Sequence, residues 1–157
     1  MLRWLCVSIL LLFTAINVGC GNAAAKPAPS GLVPVSGVVT LDDKPLSGAQ
    51  VMLIPIKASD GNLGAGGVSD SSGKFTLASS DGGAKGAVPG TYKVVVSCLV
   101  KADGTPVIPS PDESPMQLMI GGAKEQVPPK YSDAVASKLI ATVDGSGAPI
   151  ELKLTSK

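Results

Sequence analysis

Short apolar segments separated by glycine and proline most constrain what this 157-residue chain can fold into. The first such segment after residue 32 places Val33, Val35 and Val39 on one parity and Ser36 and Thr40 on the other. An alternation of period two is typical of a strand with one buried face. The chain contains 19 Gly and 13 Pro but only 3% aromatic residues, and glycine and proline recur between the apolar segments. We therefore predict an all-β fold in which many turns join short strands.

Further strands are predicted at short intervals along the chain. They cover residues 49–56, 74–77, 91–100, 139–143 and 150–154. The segment 49–56 is apolar on both parities, which predicts a central place in its sheet. Residues 57–67 and 78–87 are expected to form loops, and residues 144–147 a hairpin turn between the last two strands. About seven strands with frequent turn signals predict a single β-sandwich over residues 33–156.

Three residues have predicted local roles in this sandwich. Asp70 precedes Gly73 by three positions, which suits a tight turn in which the carboxylate accepts backbone N–H groups and the glycine takes a positive φ. Phe75 and Tyr92 are the only large rings on predicted strands and should anchor the core. Tyr92 follows a Pro-Gly turn, so we expect its hydroxyl to reach a nearby backbone carbonyl.

The N-terminus has the pattern of an export signal. Arg3 is the only charge before Lys26, and residues 4–18 form an uncharged apolar run that is short for a membrane span. Residues 17–21 (Asn-Val-Gly-Cys-Gly) resemble the lipobox of bacterial lipoproteins, with Asn17 in the place of the usual leucine. We predict a lipoprotein signal peptide over residues 1–19, lipidation of Cys20 and a flexible tether over residues 20–32. The alternative is ordinary cleavage that leaves Cys20 as a spare thiol.

Charge and cysteine content exclude several classes of protein. Without residues 1–19 the chain has 12 Lys against 12 Asp and Glu, so its side chains carry no net charge. There is no excess of positive charge to bind nucleic acid. Cys98 is then the only cysteine besides Cys20, and its strand parity predicts a buried structural thiol. The chain has no histidine, so Ser-His-Asp and Cys-His catalysis and His-based zinc or iron sites are excluded. We therefore expect that the protein is not an enzyme and that it binds no cofactor.

Residues 101–130 differ from the rest of the chain. They contain six prolines around the apolar residues Met116, Leu118, Met119 and Ile120. Proline at this density opposes regular structure, and a long connection within a compact domain is usually functional or disordered. We expect a Pro-rich insert without regular structure, and the apolar cluster suggests that at least part of this insert packs back on the sandwich.

Four segments in order resemble the carboxypeptidase regulatory-like domain. They are residues 35–41 (VSGVVTL), 44–49 (KPLSGA), 69–75 (SDSSGKF) and 88–94 (VPGTYKV), with Asp43 and Ser69 in place of the usual Gly and Thr. Residues 127–133 and 137–139 are similar to the C-terminal half of small bacterial lipoproteins with this domain. The resemblance covers about residues 33–154. It implies a transthyretin-like seven-stranded sandwich in a cell-surface setting and no activity.

Three functional hypotheses remain open at this point. The leading one is a non-catalytic β-sandwich, anchored to the membrane by the lipid on Cys20, that binds or scaffolds another envelope component through residues 101–130. The second is a module that binds glycan or cell wall, for which Tyr131 is the candidate aromatic platform. The third is a hydrolase that uses carboxylates alone, Asp70 with Asp42 or Asp43.

A calcium site is an additional hypothesis for the aspartates of the predicted turns. Hard cations take several oxygen ligands, which Asp42, Asp43, Asp60 and Asp70 would supply. No dense acidic loop resembles a known calcium site, so capping of turns is favoured for these side chains.

Overall fold

The computed structural model of the chain describes residues 31–57, 63–80, 83–110 and 113–157. The predicted signal peptide, Cys20 and nearly all of the tether lie outside the described residues, as does Asp60. The described ranges contain twelve strands and two short helices. The strands are β1 (Ser36–Leu41), β2 (Lys44–Pro45), β3 (Gln50–Pro55), β4 (Ala65–Val68), β5 (Lys74–Thr76), β6 (Ala78–Ser79), β7 (Gly90–Ser97), β8 (Leu99–Val100), β9 (Pro106–Val107), β10 (Lys124–Glu125), β11 (Ile140–Val143) and β12 (Ile150–Leu154). The helices are α1 (Pro115–Ile120) and α2 (Pro129–Ser132).

One sheet is built around β1. The strand β12 pairs with β1 in parallel, while β2 and β5 pair antiparallel with different parts of β1. Between β1 and β2 the chain reverses through Asp42 and Asp43, whose φ angles are 49° and 62°. Two central residues with positive φ are typical of a two-residue hairpin turn, because their twist matches that of the flanking strands.

A second sheet has the strand order β11-β7-β3-β4-β6, with antiparallel pairing throughout. The strand β3 lies between β7 and β4, which confirms the central position predicted from its apolar sequence. The strand β7 is the longest in the described chain, at eight residues. It pairs with β3 on one side and with β11 on the other.

The two sheets enclose one hydrophobic core, which confirms the all-β prediction and gives the layered arrangement of a sandwich. Phe75 and Tyr92 are both buried in it, as predicted, and the Tyr92 hydroxyl donates to the carbonyl of Val88. The largest fully buried side chains are Tyr92, Leu53, Leu77, Leu154, Val39, Val51, Val94, Val96, Val127 and Cys98.

The predicted turn at Asp70 is also confirmed. Its Oδ1 accepts the N–H of Ser72 at 2.8 Å and that of Lys74 at 3.0 Å. Gly73 has a φ of 73°, and a Cβ there would lie 2.5 Å from the carbonyl oxygen of Val39. The turn therefore requires glycine both for its conformation and for its close approach to β1.

Three sequence predictions about the strands are wrong. The last two strands do not form a hairpin, because β11 pairs with β7 and β12 pairs with β1 in the other sheet. Residues 57–67 and 78–87 are not loops throughout, because they contain part of β4 and all of β6. The strand predicted over residues 91–100 is interrupted at Cys98, where β7 ends and β8 joins a third sheet of order β10-β8-β9.

The expectation that the Pro-rich insert is irregular is wrong as well. It contains β9, α1 and β10, and α2 begins within it. Three of its prolines occupy positions that tolerate them: Pro115 is the first residue of α1, Pro129 is the first residue of α2, and Pro106 lies on the edge strand β9. Proline lacks an N–H donor, and these positions do not require one.

Candidate binding surface

The insert presents exposed apolar side chains on and near α1. Met116 is 67% exposed, Met119 47% and Ile120 82%, and Ile108 is 56% exposed on the segment before the helix. No residue of α1 is buried and Leu118 is only half-buried, whereas Val127 near the end of the insert lies in the core, so part of the insert packs on the sandwich as predicted. We call Ile108, Met116, Met119 and Ile120 the insert surface.

A groove of about 550 Å³ lies within the insert. Its walls combine apolar side chains with the open backbone of two consecutive glycines, and one lysine and one glutamate lie among them. The lining residues are Lys101, Ala102, Val107, Glu113, Gln117, Leu118, Gly121, Gly122 and Ala123. A concave, mostly apolar site with a few polar groups is the usual form of a binding site for a small apolar group.

The helix α1 is fixed at both ends in spite of its exposure. At its start the Ser114 hydroxyl accepts the N–H of Gln117, and the Gln117 side chain accepts the N–H of Ser114 at 2.7 Å. This reciprocal pair is a capping box. At its end the N–H groups of Gly121 and Ala123 donate to the carbonyls of Gln117 and Leu118.

Glu125 attaches the insert to the sandwich. Its Oε2 accepts the Ser97 hydroxyl at 2.6 Å, and its Oε1 accepts the N–H of Cys98 at 2.8 Å and that of Val127 at 2.9 Å. Hydrogen bonds to an ionised carboxylate are among the stronger ones in proteins. Nothing in the sequence singled out Glu125, because its partners become neighbours only when the chain returns to the end of β7.

A second attachment is a steric fit between Gly48 and the insert. A Cβ at Gly48 would lie 2.4 Å from the Cβ of Pro106. The absence of a side chain at Gly48 therefore lets the first strand of the insert pack directly on the loop that follows β2.

Cys98 lies beneath these attachments and is only 1% exposed, as its strand parity predicted. Its Sγ contacts the Ser47 carbonyl oxygen at 3.5 Å and Gln126 Oε1 at 3.7 Å. Burial, followed by the nearby Glu125 carboxylate, raises the pKa of the Cys98 thiol to about 11. The thiolate is therefore strongly disfavoured, which fits a structural thiol and opposes nucleophilic chemistry.

Tyr131 is not an open aromatic platform. Its side chain is half-buried and packs against the core, and its hydroxyl lies 3.3 Å from the Thr155 hydroxyl. The Lys130 ammonium sits 4.9 Å from the centre of its ring. A sugar that stacked on this face of the ring would have to displace that cation.

Two of the aspartates considered for hydrolysis or calcium binding, Asp42 and Asp70, accept backbone N–H groups in the structure. Asp42 Oδ1 accepts the N–H of Ser156 at 3.0 Å, and this hydrogen bond lowers the pKa of the Asp42 carboxyl. Of Asp42, Asp43 and Asp70, only Asp70 lines the cleft of about 620 Å³ beside β5. Within the described ranges, no group of three or more Cys, Asp or Glu is placed to hold a metal ion.

The comparisons with models of protein families, with curated proteins and with solved structures found no match to this chain. In the part of the chain that the structure describes, neither helix has the length and apolar character needed to cross a bilayer.

Proposed function

We propose that this chain is a non-catalytic, lipid-anchored sandwich of the transthyretin-like type that binds another component of the cell envelope through its insert surface. The observation that carries the proposal is the combination of exposure and order at α1. Three of its apolar side chains are between 47% and 82% exposed, yet the helix is capped at its start, and the chain just after it is attached to the sandwich through Glu125.

Exposed apolar side chains that cluster in this way indicate a contact surface. Single exposed apolar residues are common in proteins, whereas clusters bordered by polar residues mark sites of interaction. Because the insert is held by hydrogen bonds to β7 and β8, a partner would meet a surface that is already formed. A preformed surface loses less conformational entropy on binding than a flexible loop does.

The sequence resemblance to the carboxypeptidase regulatory-like domain is a second argument for this proposal. Seven of the twelve described strands have three residues or more, and they are divided between the two sheets of the sandwich. The matched segments supply the turn at Asp70, the ring of Phe75 and the buried Tyr92, each of which has a structural role. No matched residue needs a catalytic role to explain it.

Mass spectrometry of the mature N-terminus tests the anchor. We expect the chain to begin at Cys20 with a diacylglycerol and a third acyl group or a free amine. Two or more acyl chains give firm attachment, because each buried CH₂ contributes about 0.8 kcal/mol. An unmodified Cys20, or cleavage at another bond, would contradict the anchor.

Substitution of the insert surface tests the binding role. The triple variant Met116→Ser, Met119→Ser, Ile120→Ser changes exposed side chains, so we expect it to fold normally and to lose co-purification of the partner from membranes. Deletion of the insert is a poorer test, because it would also remove Glu125 and β9. The matched control is Val135→Ser, which replaces an apolar residue that is 89% exposed outside the insert. Equal recovery of the same partner with the triple variant and the control would exclude this surface.

A further inference from the structure

The chain enters the sandwich at one end, which we call the tether end. Val33 and Ala87 exchange backbone hydrogen bonds of 2.9 and 3.0 Å immediately before β1 and β7 begin. The start of β7 at Gly90 lies opposite Val143, the last residue of β11. The β11–β12 connection therefore lies at this end, and it includes Gly145, whose Cβ position is open space.

The insert leaves the sandwich from the opposite end. The strand β7 runs its full eight residues from Gly90 to Ser97 before Cys98 leads into β8. A strand rises about 3.3 Å per residue, so the seven steps from Gly90 to Ser97 place the two ends roughly 23 Å apart. Pro106 packs on Gly48, just before β3, and β3 begins opposite Ser97, which confirms that the insert covers this end.

We propose, on the basis of the function proposed above, that the insert surface faces away from the bilayer that holds Cys20 and that its groove receives a short, uncharged apolar segment of a different protein. The 13 residues from Cys20 to residue 32 reach at most about 45 Å when fully extended. For α1 to touch the same bilayer, the tether would have to extend along the roughly 23 Å length of the sandwich, about half of its reach, and this extension would reduce its conformational freedom. The favoured arrangement places the tether end towards the lipid and the groove towards other proteins.

The groove defines the chemistry of the segment that it would receive. Val107, Leu118 and Ala123 contribute apolar surface, and Gly121 and Gly122 allow a close approach to the backbone. Lys101 and Glu113 are the only charged residues in the lining, so the lining of the groove carries no net charge. Anionic lipid headgroups are recognised by clusters of lysine and arginine, which this groove lacks. An uncharged apolar segment fits both its shape and its charge.

Depth measurements on the lipidated full-length protein in phosphatidylcholine vesicles test the orientation. Spin labels are attached to the variants Gly145→Cys and Met119→Cys, and their accessibility to oxygen and to a water-soluble nickel complex is compared. The buried Cys98 does not compete for the label, because its thiol is 1% exposed. We expect the label at position 145 to lie closer to the bilayer than the label at position 119. The reverse order, or insertion of position 119 into the lipid, would overturn the proposal.

Photo-crosslinking in intact cells tests the occupant. Benzoylphenylalanine replaces Ala102, an exposed residue that lines the groove. We expect one adduct with a different protein, mapped by mass spectrometry to an uncharged apolar segment. The adduct should be lost when Ala123→Leu fills the groove, and it should persist with Val135→Ser. Adducts with lipid, with a second copy of this chain or with a charged segment would each overturn the proposal, as would the absence of any adduct.

The two proposals fail in different ways. Loss of the anchor, or equal partner recovery with the triple variant, contradicts the proposed function. If the anchor is present and the triple variant loses its partner, a reversed depth order or a lipid adduct contradicts only the orientation and the occupant inferred here.

Discussion

The carboxylate of Glu125 accepts the backbone N–H of Cys98 at 2.8 Å, although the two residues are 27 positions apart in the chain. The same carboxylate accepts the Ser97 hydroxyl and the N–H of Val127. This contact decides how the insert joins the sandwich, because it satisfies backbone donors at the point where the regular pairing of β7 ends. It also accounts for the order of a segment whose proline content predicted irregular structure.

Replacement of Glu125 should destabilise the protein measurably. Glu125→Ala leaves the N–H groups of Cys98 and Val127 without their acceptor, and we expect the free energy of unfolding to fall by about 2–3 kcal/mol. Glu125→Gln keeps one oxygen acceptor and should cost less. Denaturation in urea measures both variants. Glu151→Ala is the control, since Glu151 is exposed on β12, and its effect should be within about 0.5 kcal/mol. An Ala variant as stable as that control would contradict the role of Glu125.

A side chain at Gly37 should disrupt the packing between β1 and its neighbours. A Cβ there would lie 2.2 Å from the Ile150 carbonyl oxygen and 2.4 Å from the Phe75 ring. We expect Gly37→Ala to lower the free energy of unfolding by about 3 kcal/mol, because both the parallel pairing with β12 and the position of a core ring must change. Thermal unfolding compares it with Gly145→Ala, which adds a Cβ in open space. Similar melting temperatures for the two variants would refute this prediction.

Replacement by glycine should change stability to different extents at the two aspartates of the β1–β2 turn. Both have a positive φ, which costs an L-residue about 1 kcal/mol. Asp43→Gly removes that cost, and we expect a gain in stability of up to about 1 kcal/mol. Asp42→Gly also removes the carboxylate that accepts the Ser156 N–H, so its net gain should be smaller or negative. Urea denaturation of the two variants side by side tests the difference, and a larger gain at position 42 would contradict it.

The Cys98 thiol gives a prediction of pH dependence. Its pKa is raised from 9.0 to about 11 in the folded protein, so between these values the unfolded chain loses a proton that the folded chain retains. Fewer protons are then bound in the unfolded state, and stability must fall as pH rises from 9 to 11. Cys98→Ala should remove this contribution from the pH profile of unfolding. A separate measurement tests the burial of this thiol. Because the Cys98 thiol is buried and its pKa is raised, its alkylation by iodoacetamide at pH 8 should be at least 100-fold slower in the folded protein than in urea. Similar rates would show that the thiol is accessible.

The sequence alone determined the local features of this protein. The period-two alternation around Val39 predicted a half-buried strand, the Asp70–Gly73 spacing predicted a capped turn, and the position of Tyr92 after Pro-Gly predicted its hydroxyl contact with a carbonyl. Each of these depends on residues within a few positions of one another, where backbone sterics and side-chain period act directly. The predicted signal peptide and Cys20 depend on the same kind of local pattern.

Only the tertiary structure decided which strands meet and where the candidate surface lies. A turn signal after Val143 suggested a hairpin, yet Ile150 lies opposite Gly37 because β12 completes the sheet of β1. Glu125 and Pro106 likewise gained their roles from partners distant in sequence. Burial of shared apolar surface selects such pairings after the local segments have formed, and no local pattern encodes them. The position of the insert at the end of the sandwich opposite the tether end is a consequence of that global arrangement.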